Sequence, residues 1–267
     1  MSDPGLALLL VKMTAAAAIV VSCSLVAERS GPLLAALIAT LPISAGPVLA
    51  FLALDHDPVF ISQAALGSMG ANLATSGMVL VYVLTAQAHG PARSLLASLA
   101  VWFAIATALR IVEPPAWSIV GATVAAYGAL CVVLRPYLDA RPAAPPERVW
   151  YAIPIRAGAV ALLAGLVTTL SELVGSGWSG TLAALPVVFS SLIAMLQPRM
   201  GGPAVAAIVA NSTLGLMGFG LALATVHYGA PVLGSWTALL FGLLVSLAWN
   251  VALLGLSLRR ASAGATR

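Results

Sequence analysis

Residues 28–42 read ERSGPLLAALIATLP, and residues 172–186 read ELVGSGWSGTLAALP. A shift of 144 positions lays Glu28 on Glu172, Gly31 on Gly175, and Leu41-Pro42 on Leu185-Pro186. The same shift carries Lys12 onto Arg156 and Ser68 onto Ser212; a shift of 148 then matches residues 95–100 with 243–248. Coincidences of Ala and Leu mean little in such text. A rare base, a rare acid and a proline in one register point instead to a duplicated unit.

Reading outward from these two stretches, apolar runs recur along the whole chain. Nine of them are spans of roughly the length that crosses a hydrocarbon core, for which a helix needs about 20 residues. They fall near 5–27, 32–54, 58–86, 93–112, 115–134, 150–170, 178–198, 203–228 and 232–258. Gly and Pro punctuate them, as at Asp55-His56-Asp57-Pro58, His89-Gly90-Pro91 and Glu113-Pro114-Pro115. Spans one to four then correspond to spans six to nine, and the unpaired fifth inverts the second copy. The expected organisation is a first repeat over residues 1–113, a linker helix and loop over 114–149, and a second repeat over 150–267. Residues 135–148, rich in Pro, Ala and Arg, are too few for a domain. The first span lacks a basic leader and a small-x-small cleavage site, and its place in the repeat argues that it is retained.

Composition fixes the solvent. Hydrophobic residues make up 61% of the 267 positions and charged residues 7%, with a mean hydropathy of +1.05. A soluble domain carries roughly 25% charged residues, so this chain has too few to cover a wet surface. Long continuous runs rich in Ala, Leu and Val exclude the short alternating strands of a membrane β-barrel. The fold class expected is therefore an all-α membrane protein with two inverted four-helix repeats. The net charge of +4 comes from scattered arginines, without the basic stripe and aromatics of a nucleic-acid surface. Across nine spans, Arg29, Arg93, Arg135, Arg141, Arg148, Arg156, Arg199, Arg259, Arg260 and Arg267 share one side. Lys12 and Arg110 take the other. Cytoplasmic loops carry the basic excess, which places the C-terminus inside and the N-terminus outside.

Proline supplies the first site candidates. Pro42 and Pro186 sit mid-span at matching places, and each removes a backbone donor and clashes with the preceding turn. Ser44 follows the first, and Ser190 with Ser191 follows the second. Paired interruptions in two halves are the sequence pointer to a transporter binding site, although proline kinks used only for packing are common in membrane helices. The third and eighth spans add Gln63, Ser68 and Asn72, then Asn211-Ser212-Thr213. An amide in hydrocarbon must find a partner or line a wet cavity. Glu28 and Glu172, at matching helix ends, are candidates for ion coupling, and a solvated interfacial role is the alternative. Lys12, Arg110 and Arg156 could attract an anion, but Lys12 and Arg156 can also snorkel to the interface.

Enzyme signatures are missing. His56, His89 and His227 lie far apart, Cys23 and Cys131 are isolated, and no metal-ligand motif, nucleophile elbow or phosphate loop occurs. No catalytic residue, metal or cofactor is expected.

The run from Thr14 to Ala86 passes from a span through Glu28-Arg29-Ser30-Gly31 and Leu37-Ile38-Ala39-Thr40-Leu41-Pro42 to a Gly/Ser-rich span. In this it resembles the small GlpM-like bacterial inner-membrane proteins, as if such a unit were duplicated and fused. The plan of two inverted halves with proline-broken helices also resembles carriers of the bile-acid-sodium-symporter type. Nine spans and the lack of their sodium ligands set this chain apart, and fold does not carry function. The resemblances imply a multi-pass protein of a bacterial inner membrane. The leading expectation is a proton- or sodium-coupled secondary transporter of a small metabolite, with an organic anion as candidate substrate. Its expected partners are that substrate and membrane lipid, with a homodimer as candidate assembly and no nucleic acid. A flippase for lipid or a lipid-linked intermediate, or an accessory subunit of a membrane complex, is the alternative.

Overall fold

A computed structural model describes residues 4–29, 45–140 and 151–265. Pro42 and Ser44 lie outside the described residues, as does the Glu28 side chain. Among the described residues the chain is helical throughout, without a strand. The helices are α1 (Pro4–Arg29), α2 (Ala45–Asp55), α3 (Pro58–Thr85), α4 (Pro91–Val112), α5 (Ala116–Val133), α6 (Ala152–Ala183), α7 (Val187–Met200), α8 (Gly202–Asn211), α9 (Thr213–Leu233) and α10 (Ser235–Ala265).

Local sequence sets most boundaries. Asp57 caps α3 by accepting a hydrogen bond from the Phe60 amide at 2.7 Å, with Pro58 in the first turn. Pro91 likewise stands in the first turn of α4, whose N-cap Gly90 makes no side-chain bond. That helix stops at Glu113, whose φ of 47° and ψ of 54° are left-handed. Pro114 behind it disfavours the right-handed conformation, and holding a non-glycine there costs roughly 1–2 kcal/mol. Pro186 lies between α6 and α7 with φ −77° and ψ 50°, so the chain leaves helical geometry where the proline predicts a break.

Seven stretches among the described residues are long and apolar enough to span a membrane. Nine are expected, and the two numbers differ at two places. The second expected span, 32–54, is described only as the eleven residues of α2, too short at about 1.5 Å per residue to cross alone. The sixth and seventh fall together in one apolar stretch, Ile153–Met200, of 48 residues. That stretch doubles back. Gly175, inside α6, takes φ 75° and ψ 172°, an extended left-handed-side backbone open to glycine alone. The ends of the stretch meet, with Arg199 Nη2 donating to the Tyr151 hydroxyl at 2.5 Å and its guanidinium 5.6 Å from the Tyr151 ring centre.

The axis of the bundle is α3, whose most apolar window is 72% buried, against 17% for α1, α4 and α10. It packs most heavily on α4, α6 and α9, while α1 packs on α6 and α9 on α10. Without water there is no hydrophobic gain in pressing helix to helix, so small residues and interhelical hydrogen bonds make these contacts. A Cβ on Gly180 would collide with the Ala64 carbonyl oxygen, and one on Gly67 with that of Gly177. Ser68 donates to the Gly180 carbonyl at 2.7 Å across the same crossing. Further along α3, Trp102 Nε1 donates to the Ala71 carbonyl and to Thr75 Oγ1, both at 3.1 Å. Tyr127 donates to the Asn72 carbonyl at 2.8 Å, and Tyr82 to Gln197 Oε1 at 3.1 Å.

The obstacles at Gly67 and Gly180 are backbone atoms that cannot swing aside. Gly180→Ala and Gly67→Ala should each lose about 3 kcal/mol, the upper end of overpacking costs. Gly158, where an added methyl would meet nothing within 4 Å, should accept alanine without loss. Thermal unfolding of the three purified variants in detergent checks both halves.

Candidate functional site

The helix ends collect at two rims. At one lie the start of α3, the end of α4, the start of α5 and the end of α9, around a cavity of about 360 Å³. Its lining includes Gln63, Gly67 and Gly70 of α3, Arg110 of α4, Glu113 to Ala116 in the connection, Thr181 of α6 and His227 of α9. At the other rim Gln197 donates to the His89 carbonyl at 3.0 Å, and Asn211 to the Leu138 carbonyl at 3.1 Å. Between them stands a packed layer of Trp102, Tyr82, Tyr127, Val83 and Ile193, all buried. The cavity is thus open on one side of the bundle and closed toward the other.

Charge in the cavity is unequal. The Arg110 side chain is 21% exposed and Glu113 70%; their contact is a single Nη2–Oε1 hydrogen bond of 3.2 Å. An exposed ion pair of this kind contributes at most about 1 kcal/mol. Arg110 Nε is buried without a hydrogen-bond partner, an arrangement that natural structures rarely leave unexplained. The guanidinium rests against Gly177, where a Cβ would collide with Nη2. Close to the cavity, Ser62 Oγ donates to the His227 carbonyl at 2.7 Å. His227 Nδ1 lies 2.9 Å from the Ser62 carbonyl, which can only accept, so Nδ1 carries a proton. Thr181 donates to the Gly177 carbonyl at 2.9 Å. The start of α5 completes the wall, with no side-chain cap and no acid in its first turn, which leaves the positive end of an 18-residue helix dipole unneutralised.

Of the residues singled out from sequence, this cavity brings together Gln63 and Arg110. Ser68 and Asn72 are used in packing: Asn72 Nδ2 donates to the Leu216 carbonyl at 3.1 Å. Ser190 donates to the Pro186 carbonyl at 2.7 Å, Ser212 to Val209 at 2.6 Å and Thr213 to Ala210 at 2.5 Å, each within its own turn. Asn211 is exposed at the opposite rim. Glu172 is exposed beside Ser171, which His56 Nε2 meets at 2.9 Å. Arg156 is half-buried on α6 and does not line the cavity.

Lys12 behaves differently from a snorkelling lysine. It is buried and forms an ion pair with Asp55 at the end of α2. The sequence shows an acid at that turn but offers no way to pair two residues 43 positions apart. Glu113, Thr181 and His227 are likewise cavity residues that sequence reasoning misses, as is Gly177, which lies against the Arg110 guanidinium. One signal is available: Arg110 and Glu113 stand at i,i+3 in the last turn before two prolines.

No protein-family model, curated protein or solved structure matches the chain. What the fold itself defines is a multi-pass, all-helical membrane protein with several long apolar helices.

Breaking the Lys12–Asp55 pair should be costly because Lys12 is left charged and dry. Asp55→Asn should lose about 2 kcal/mol, less than the 3–5 kcal/mol of fully buried pairs because Asp55 is partly exposed. Lys12→Met combined with Asp55→Asn should recover most of that loss. A double-mutant cycle of unfolding midpoints tests it, and additive losses would show that the two side chains do not interact.

Proposed function

We propose that this chain is a secondary transporter of a small metabolite in a bacterial inner membrane, working by alternating access between two inverted halves. The observation that carries the reading is the one-sided polar cavity, walled by α3, α4, α5, α6 and α9 and closed by a packed aromatic layer beneath. A channel needs a continuous path; a carrier in one of its two states presents a blind vestibule of this kind.

Several features support the inverted plan. The doubling back of Ile153–Met200 would give that stretch two crossings, and residues 32–54 would supply a further one to make nine. In the first half α3 packs on α4, and in the second α9 packs on α10, as the shifted registers pair them. Asn72 hydrogen-bonds the carbonyl of Leu216, its own counterpart 144 positions on, a contact of the kind expected beside a pseudo-twofold axis. The charge bias then assigns the cavity rim, with Arg110 and Glu113, to the outside. The break at Pro186, and Pro42 at the matching place, would be where the halves flex. The pathway would run through Gln63, Ser68 and Asn72 toward Ser190, Asn211, Ser212 and Thr213. Glu28 and Glu172 would couple movement to protons or sodium.

A lipid-handling role is the second reading. It is favoured by an almost wholly apolar groove of about 470 Å³ between α1, α2, α9 and α10, lined among others by Ile19, Pro47, Phe219, Trp236 and Leu240.

Purified protein in proteoliposomes, assayed with labelled sugars, amino acids, organic acids and nucleobases, should give a saturable flux accelerated by an imposed proton or sodium gradient. Glu172→Gln should remove the gradient dependence and leave exchange of substrate for substrate. Flux that never saturates would make the protein a channel. Silence across the panel together with transfer of labelled lipid between leaflets would establish the second reading.

A further inference from the structure

We propose that the outer cavity is a binding site for a small organic carboxylate, seated on Arg110 and the start of α5, and that Glu113 is a built-in competitor for it. The proposal rests on the transporter reading only in calling the ligand a substrate; the site itself stands on its own geometry.

Arg110 is the cavity's permanent cation, and it is the more deeply placed member of its pair. Its Nε is buried and unpartnered, and a single donor, Nη2, reaches Glu113 at 3.2 Å. A guanidinium is a planar fork with five donors, matched to a carboxylate taken two bonds at a time. The present contact uses one. Arg110 lines a cavity that also holds the Gln63 amide, the His227 ring and the start of α5, whose first turn has no side-chain cap and favours negative charge.

Glu113 shows which anion fits. Its carboxylate already stands on Arg110, as the carboxylate of a ligand would. It is 70% exposed, so solvent screens it, and leaving costs the pair little. Its backbone is the one positive-φ non-glycine among the described residues, held by the two prolines that follow. The side chain is therefore delivered to Arg110 by a fixed turn. A ligand must displace it, and the release of Glu113 to water is the first event of binding.

Charge and size narrow the ligand. One arginine beside one competing acid suits a carboxylate of low charge; a phosphate dianion would find a single permanent cation and the Glu113 carboxylate against it. A volume near 360 Å³ is at the small end of ligand pockets, which run from about 300 to 1,000 Å³.

Gly177 supplies an independent handle. Its missing Cβ leaves the space in which the guanidinium lies. The obstacle to a methyl there is the end of a flexible side chain, so the Gly177→Ala protein should fold with its Arg110 pushed out of place.

The test is equilibrium binding and thermal shift of the full chain in detergent with acetate, pyruvate, succinate, glutarate and benzoate. Succinamide and inorganic phosphate serve as neutral and inorganic controls. At least one carboxylate should bind, and succinamide should not. Arg110→Gln should weaken that binding at least tenfold and Gly177→Ala several-fold, whereas Glu113→Gln should strengthen it several-fold. The opposite sign of the Glu113 and Arg110 effects separates a competitor from a merely structural ion pair, which would lose affinity either way. Equal binding of succinamide, preference for phosphate, weaker binding in Glu113→Gln, or no carboxylate binding even in that variant would each overturn the proposal. Should Arg110→Gln fail to fold, the Gly177 and Glu113 variants decide it by themselves. Carboxylate binding without flux in proteoliposomes would sink the transporter reading and leave the site standing. Saturable flux of neutral solutes without carboxylate binding would do the reverse.

Discussion

At the centre of the bundle two helices touch through their backbones. Ala64 and Gly67 of α3 face Gly177 and Gly180 of α6 so closely that the carbonyl of each helix occupies the space where the other's Cβ would be. In a bilayer the tails are as apolar as leucine, and a helix pair is held by dispersion, short hydrogen bonds and close approach. The hydroxyls of Ser68 and Thr181, bonding to carbonyls of the opposite helix at 2.7 and 3.4 Å, belong to the same crossing. Removing the side chains lets the two backbones meet, and every other helix is placed relative to that pair.

The crossing also builds the cavity. Because α6 turns at Gly175, the short segment that carries Gly177, Gly180 and Thr181 runs against α3 beside the end of α4. The absent side chain at Gly177 receives the Arg110 guanidinium, and the Gly67–Gly70 face of α3 leaves the space that α4, α5 and α9 wall in. One run of glycines thus serves packing and polarity together. A larger residue at Gly67 would part the helices, and one at Gly177 would move the charge.

Much of the architecture was legible, because hydrophobic length and punctuation are properties of short windows. The starts at Pro58 and Pro91, the stop at Glu113-Pro114 and the break at Pro186 follow from proline chemistry that acts over one turn. The site was legible only in fragments. Gln63 and Arg110 could be named, yet Ser68 and Asn72, equally polar on paper, are consumed by carbonyls of neighbouring helices. Whether a buried hydroxyl or amide is spent in packing or free for a ligand depends on which carbonyl lies opposite, and that is a matter of rotation between helices. No periodicity within a single helix encodes it. The Lys12–Asp55 pair was hidden for the same reason.

Comparing the two ion pairs shows how a chain with so few charges can use them in contrasting ways. Lys12 is deeply buried, and Asp55 closes off its charge; separating them strands an ammonium among Leu9, Thr168 and Thr169. Such a pair fixes α1 to α2 and has little freedom to exchange partners, because no other acid among the described residues lines that site. Arg110 and Glu113 are neighbours on one turn, with the acid in solvent and the base leaning inward. Here the acid can be replaced by any carboxylate that enters, since water takes up what the protein releases. The deeper burial of both members, 7% and 34% exposed for Lys12 and Asp55 against 21% and 70% for Arg110 and Glu113, therefore separates a strut from a receptor. By that criterion Arg110, of the two paired cations, is the one suited to meet the proposed carboxylate, and the wet, strained, proline-backed Glu113 would keep its place until one arrives.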